Sequence, residues 1–295
     1  MNVLITGAGG FLGKHLIKGL LENEKIKIFA NTLISSDLDE FIGKIDIIPT
    51  EELGKVDFES IDIVINCAFP RAVKGPGFAK GLDFIVDLLK LIQPYNNVGF
   101  IDISSQSVYS YTRDDIADED SPVILEDSYD TGKYLIEQMS NVMLKDHKLV
   151  HLRLASLVGA GFDQRLTNKF VKKIIGGEDF LIRGGKQTFG FLDVRDCASA
   201  IYSVVDKWDA IEIGAYTYNV CPRDNHNLLV LAQKSIEIGK MYGYDKTKLS
   251  IEDSDDYKSS ALSSKTFTQD FGWIAKYSIE ETLKSIFEYE IDKTN

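Results

Sequence analysis

The chain alternates between short, wholly apolar runs and longer stretches in which apolar residues recur every three or four positions. Val3-Leu4-Ile5 is the first run; Leu12, Leu16, Ile17, Leu20 and Leu21 then fall at helical spacing. A run without polar alternation suits a strand covered on both faces. Further strands are expected at residues 26–30, 45–48, 62–68, 98–103 and 150–154. Helices are expected at 78–91, stopped by Pro94, and at 129–147, preceded by Asp127 and Ser128 as caps. Beyond residue 154 the texture changes, with Gly159, Gly161, Gly176, Gly177, Gly184, Gly185 and Gly190 punctuating short segments. Strands are expected there at 188–192 and 216–220, and helices at 194–205, 226–242 and 279–289. Such alternation predicts an α/β fold built on a doubly wound parallel sheet with right-handed crossovers. Ligands of such sheets bind at the carboxyl ends of the strands, which draws attention to Gly7, Asn31, Phe69 and Ser104.

Composition narrows the partners. The 295 residues are 44% hydrophobic and 26% charged, ordinary for a globular chain long enough for two unequal domains. The net charge of −12 argues against nucleic acid and anionic membrane surfaces. Phosphates must therefore be held by local donors. Cys67, Cys197 and Cys221 lie far apart without metal-ligand spacing, as expected of free thiols in a reducing compartment. His151 is isolated and expected to pack within a strand, so no metal is expected. No apolar stretch approaches the ~20 residues of a membrane span. The first run breaks at glycines instead of continuing as a signal peptide, and a cytoplasmic protein is expected.

Gly7, Gly10 and Gly13 follow the first strand at three-residue spacing and open the first helix. Strand, glycine turn and helix in succession form the start of a dinucleotide-binding unit. Gly7 permits the sharp turn, Gly10 lets backbone approach a pyrophosphate, and Gly13 lets the helix pack on its strand. The helix N-terminus offers unpaired N–H groups to the phosphates.

Two further segments carry candidate chemistry. ISSQSVY, residues 103–109, stands at the mouth of the fifth strand, and YDTGK, residues 129–133, opens the next helix. Tyr129 and Lys133 share a helix face. A phenol ordinarily ionises near pH ~10; a neighbouring ammonium and a nicotinamide cation favour the phenolate. Tyr129 can then exchange a proton with a substrate hydroxyl while hydride moves, with Ser105 holding the same oxygen. The same spacing at Tyr242/Lys246, Tyr244/Lys248 and Tyr289/Lys293 lacks this context.

TGAGGFLG at 6–13, DIVINCA at 62–68, SSQSVY at 104–109, YDTGK at 129–133, LRLASLVGAG at 152–161, FLDVRDCASAI at 191–201 and YNV at 218–220 together resemble the extended short-chain dehydrogenase/reductases, in particular the nucleotide-sugar epimerase/dehydratase group. The resemblance implies a Rossmann-type NAD(P)-binding domain over 1–155, to which the chain returns around 191–220, and a smaller, mainly substrate-binding lobe over 156–295. It implies Tyr129 as acid/base, Lys133 as ribose ligand and tuner of the tyrosine, and Ser105 as orienter of the substrate oxygen. The cofactor, NAD or NADP, is expected on Gly7, Gly9, Gly10, Phe11, Leu12, Gly13, Asn31, Cys67, Ala68, Phe69 and Ser104, besides Tyr129 and Lys133. The resemblance also implies a homodimer through helices 78–91 and 129–147.

Departures from the family pattern shape the substrate reading. Gln106 and Ser107 follow Ser105 where dehydratases carry Asp-Glu, which leaves an epimerase or ketosugar reductase acting on a nucleotide-activated sugar. The second strand ends in Ala30-Asn31-Thr32, with neither the acid that selects NAD nor an arginine for a 2′-phosphate. Ser156 and Phe189 stand where relatives hold the diphosphate with Asn and Arg; Arg165 and Arg183 are the substitutes available. Arg71 and Gln106 complete the candidate substrate contacts. The alternatives are a reductase of a carbonyl substrate without a nucleotide, and a cofactor-sensing regulatory protein. Intact Ser105, Tyr129 and Lys133 speak against the sensor, since sensing needs no proton-transfer group.

Overall fold

The computed structural model describes residues 1–70, 75–111, 113, 115–254 and 259–293. In chain order it comprises β1 (Asn2–Thr6), α1 (Phe11–Leu20), β2 (Lys27–Thr32), β3 (Asp46–Pro49), β4 (Ile63–Asn66), α2 (Pro76–Ile92), β5 (Gly99–Ser105), α3 (Ser128–Met143), β6 (Lys148–Leu154) and β7 (Ser156–Val158). It continues with α4 (Leu166–Ile175), β8 (Phe180–Arg183), β9 (Thr188–Asp193), α5 (Val194–Asp206), β10 (Gly214–Val220), β11 (Asn225–Asn227), α6 (Leu228–Met241), β12 (Leu249–Glu252), α7 (Lys265–Phe271) and α8 (Ile279–Asp292). Two compact units result. The first comprises Met1–Val108, Val123–Arg153 and Ala198–Tyr218; the second comprises Tyr109–Pro122, Leu154–Cys197 and Asn219–Asn295.

The first unit is built on a seven-stranded sheet in the order β10-β6-β5-β4-β1-β2-β3. Successive pairs from β5 through β4, β1 and β2 to β3 are parallel, in the register Val3↔Ile63 and Ile63↔Gly99. Val3, Leu4 and Ile5 of β1 and Ile63, Val64 and Ile65 of β4 are fully buried, which is why these runs show no polar alternation. Helix α2 lays Ile85, Leu88, Leu89 and Ile92 on one side of the sheet against Val64 and Phe100, and α3 adds Ile136. The order reverses at β1 and β4, whose adjacent carboxyl ends carry the glycine turn and residues 67–70.

The second unit holds a three-stranded sheet, β11-β9-β7, and a parallel pair, β12-β8. Helices α4, α6 and α8 bury Phe170, Ile174, Leu231, Ile238, Leu283 and Phe287 in its core. The helix expected over 226–242 starts later: Asn225–Asn227 pairs with β9, and the Asn227 side chain caps α6 by accepting the Val230 N–H at 2.8 Å.

Candidate functional site

The glycine turn fits the cofactor expected of it. Gly7 sits at φ +64°, and a Cβ there would meet backbone atoms of Cys67 and Ala68 at 2.8–2.9 Å. A Cβ on Gly13 would lie 2.6 Å from the carbonyls of Gly7 and Ala8, so only glycine lets α1 close on the turn. The amide of Ala8 donates to the Asn31 carbonyl, tying the turn to β2. Gly10 caps α1 without a side-chain hydrogen bond, at the helix end where the first-turn amides have no partner within the helix. This cradle of backbone donors, open to a close-approaching anion, suits a pyrophosphate.

Beside the turn, at the end of β4, Phe69 gathers the candidate catalytic groups. Its ring meets Tyr129 edge-on, with centroids 5.0 Å apart at 72°. The Lys133 ammonium lies 4.3 Å from the same ring's centroid and donates to the Ile103 carbonyl of β5 at 2.6 Å. Gly132 makes this possible: a Cβ there would stand 2.7 Å from Phe78 of α2 and 3.2 Å from Phe69. The start of α3 is fixed by a reciprocal cap. The Asp127 carboxylate accepts from the amides of Tyr129 and Asp130, and Asp130 accepts from the amide of Asp127. Tyr129 is thereby set in the first turn, half-buried, with Lys133 one turn on and buried.

Ser105 is the last residue of β5, half-buried, immediately beyond two residues clamped to α3. Ile103 takes the lysine, and the Ser104 hydroxyl donates to Glu137 of α3. Glu137 is itself held by a bidentate pair from Arg153 of β6, at 3.0 and 2.8 Å. The Ser105 oxygen accepts from the Ser107 amide at 3.2 Å and from the Ser107 hydroxyl at 3.0 Å. With both acceptor positions filled, the Ser105 hydrogen is left to donate outward.

A buried polar row runs beneath. Thr6, Asn66 and Asp102 pair in register across β1, β4 and β5; Thr6 donates to Asn66 at 2.8 Å, and Asn66 to Asp102 at 2.9 Å. His151 of β6 faces Asp102 at 3.9 Å and bonds Asn141 at 2.8 Å, the packed role expected of it. Cys67 keeps partial exposure as a residue, yet its thiol is desolvated: burial pushes it up to about 12 despite the field of Lys133. A thiol so raised stays protonated near neutral pH, which makes it a poor nucleophile.

Other expected residues are placed as follows. Asn31 is buried, its carboxamide donating to the Ile48 carbonyl of β3 at 3.2 Å. Gln106 is buried in the turn after β5. Ser156 lies half-buried on β7. Arg165 stands at the N-cap of α4, 4.8 Å over the Phe162 ring. Arg183 pairs with Glu252 across β8 and β12 at 2.9 Å, its side chain 73% exposed. Arg71 lies outside the described residues. Sequence reasoning missed Ser107 and the Glu137–Arg153 pair. The spacing of Tyr129, Lys133 and Glu137, every fourth residue on one buried helix face, was a signal available for the latter.

A glycine cradle, a Tyr–Lys pair and a strand-end serine on one parallel sheet define a nicotinamide-dependent enzyme of the short-chain dehydrogenase/reductase type. The sequence profile of the NAD dependent epimerase/dehydratase family matches residues 3–221, and the chain belongs to that family. It is 24% identical to a UDP-glucose 4-epimerase from Pisum sativum, over 95% of this chain and 93% of the relative. UDP-glucuronic acid 4-epimerase from Bacillus cereus, solved with UDP-glucuronic acid and NAD, superposes with a TM-score of 0.84 at 20% identity, covering 100% of both chains. dTDP-glucose 4,6-dehydratase from Bacillus anthracis, solved with NAD, gives 0.84 at 18% identity, covering 99% of this chain and 97% of that one.

Proposed function

We propose that this chain is an NAD(P)-dependent epimerase or ketosugar reductase acting on a nucleotide-activated sugar. The observation that carries the reading is the seating of Tyr129 and Lys133 on one aromatic ring, Phe69, at strand ends that also carry the glycine cradle. The bound dinucleotide would supply the acceptor and donor of hydride. Tyr129 takes the hydroxyl proton as the sugar carbinol is oxidised and gives it back when the ketone is reduced. Ser105, fixed by Ser107, donates to the same oxygen and holds it in line. Lys133, one turn along α3 from Tyr129 and over the same Phe69 ring, would bind the ribose hydroxyls. Water elimination lacks its carboxylates, because Gln106 and Ser107 follow Ser105.

The substrates named for the relatives, UDP-glucose, UDP-glucuronic acid and dTDP-glucose, are all nucleoside-diphosphate sugars and support that class. Ser156 and Arg165 are the candidates to hold the diphosphate. Arg183, engaged with Glu252, favours the second reading, reduction of a carbonyl compound without a nucleotide. A thermal-shift panel with UDP, dTDP and GDP separates the two: stabilisation by one of them supports the first, and response to none overturns it. We also propose a cytoplasmic homodimer formed through α2 and α3. Leu135 and Val142, seven residues apart on α3 and 41% and 76% exposed, support that face. Sedimentation as a monomer at micromolar concentration would contradict it.

A further inference from the structure

We propose that Asp37 reads the adenosine ribose of the dinucleotide and makes this chain select NAD over NADP. The inference rests on the dinucleotide reading of the glycine turn. In sheets of this type an acid at the end of the second strand holds the ribose hydroxyls. Here β2 ends in two side chains that are already engaged. Asn31 is buried and bonded to the Ile48 carbonyl, and the Thr32 hydroxyl donates to the Ile34 carbonyl at 3.3 Å.

The chain then enters a short 3₁₀ stretch, Ser35–Phe41, anchored by buried Leu38 and Phe41. This stretch brings Asp37 back over the glycine turn. A Cβ on Gly9 would stand 2.9 Å from the Asp37 Cβ and 3.2 Å from its Oδ2, and 2.6 Å from the Thr32 hydroxyl. Gly9 is not among the glycines with positive φ, so its missing side chain serves space and not backbone conformation. That space belongs to Thr32 and Asp37. The Asp37 carboxylate is half-buried and makes no hydrogen bond or ion pair among the described residues. Its oxygens are therefore free to accept from a vicinal diol.

The acids of the stretch also weigh against a phosphate. Lys18, the cation paired with this stretch, is engaged with Glu40 at 2.9 Å, and Lys14 and His15 also lie toward Glu40. A 2′-phosphate at this place would face the Asp37 carboxylate, and no arginine among the described residues pairs with this stretch. Repulsion between like charges in a partly desolvated groove disfavours that arrangement.

Equilibrium titration of wild type, Asp37→Ser and Asp37→Asn with NAD⁺ and NADP⁺ by calorimetry tests the assignment without recourse to turnover. We expect wild type to bind NAD⁺ about a hundredfold or more tighter than NADP⁺. Asp37→Ser should weaken NAD⁺ about tenfold while leaving NADP⁺ equal or tighter. Asp37→Asn should keep part of the NAD⁺ affinity and relax the discrimination. Equal affinity of wild type for the two dinucleotides, or an unchanged ratio in Asp37→Ser with an unaltered melting curve, overturns the role of Asp37. Binding of neither dinucleotide by wild type overturns the cofactor reading itself. Because the carboxylate has no partner among the described residues, its replacement removes none of their bonds.

Discussion

The strand ends of the first unit and the helices of the second differ in how many charged groups they bury. Alongside the apolar packing of Val64, Phe100 and Ile136, the elements β4, β5, α3 and β6 bury a connected set of polar groups: Asn66, Asp102, Ser104, Lys133, Glu137, His151 and Arg153. Between α4, α6 and α8 the interior is mainly apolar, with Phe170, Ile174, Leu231, Leu283, Ile286 and Phe287 at its centre. An apolar interior tolerates small shifts because its contacts have little direction. A hydrogen-bonded interior fixes direction, and an unpaired buried charge is expensive. On the proposed function, the polar region is where a phenol, an ammonium and a hydroxyl are held in register, and the directional bonds are concentrated there. The apolar region supplies stability without setting angles.

The largest expected effect lies on the polar side. Tyr129→Phe should lower turnover by about 10²–10⁴, the range of a lost acid/base, with the melting temperature unchanged. Turnover close to wild type would remove Tyr129 from the chemistry. The contrast between regions is then tested by two substitutions of similar thermodynamic size. Phe287→Ala, at a fully buried ring stacked on Tyr242, should destabilise by about 3–5 kcal/mol and leave the activity of the folded fraction intact. Glu137→Ala strands Arg153 as a buried charge and should destabilise by about 3–5 kcal/mol as well. It should also reduce turnover, since Ser104 loses its acceptor next to Ser105. Denaturant melts and kinetics on both variants decide the matter. If the two lose activity in equal measure, the polar region has no special positioning role.

Smaller effects sharpen the picture. Ser107→Ala removes one of the two bonds accepted by Ser105 and should slow turnover about tenfold at nearly unchanged stability. Asp102→Asn keeps the acceptor used by Asn66 and replaces a carboxylate oxygen that has no hydrogen-bond partner among the described residues, with His151 3.9 Å away. It should change stability by no more than about 1 kcal/mol, in the stabilising direction.

Much of this was readable before any coordinates. Runs such as Val3–Ile5 carry their meaning in composition alone, because burial on both faces erases polar alternation. The glycine turn and the Tyr129–Lys133 pair are local motifs whose spacing encodes their geometry. What escaped depends on the path of the chain in space. Helix α4 was overlooked among glycines, although its apolar residues follow helical spacing. Residues Tyr109–Pro122 join the second unit through bonds such as Tyr109 to Asn219 and Asn219 to Glu119, and no periodicity announces them. Asp37 reaches Gly9 through a 3₁₀ stretch whose direction no residue pattern encodes. Asn31 looked available at a strand end, and only the neighbouring strand shows that Ile48 takes its side chain.

The smallest effect concerns Cys67, the thiol nearest the polar cluster. Its neighbours are mixed: Lys133 favours the thiolate, while Asp102 and, above all, burial oppose it. Burial prevails and pushes the group up from about 9 to about 12. At pH 8 only about one thiol in 10⁴ is then ionised, and alkylation requires the thiolate. Native protein should resist iodoacetamide at pH 8 under conditions that modify a free thiol fully, and react once unfolded in urea. Between about 9 and 12 the folded state holds the proton and the unfolded state does not, so this group's contribution to stability declines as pH rises through that window. Cys67→Ala should accordingly flatten the alkaline end of the stability curve and leave turnover within about twofold of wild type, as expected of a position that packs without touching the proton path. Rapid modification of native Cys67, mapped by mass spectrometry, would mean that water reaches the strand ends beneath Lys133, and the dry, directional interior argued for this region would have to be given up.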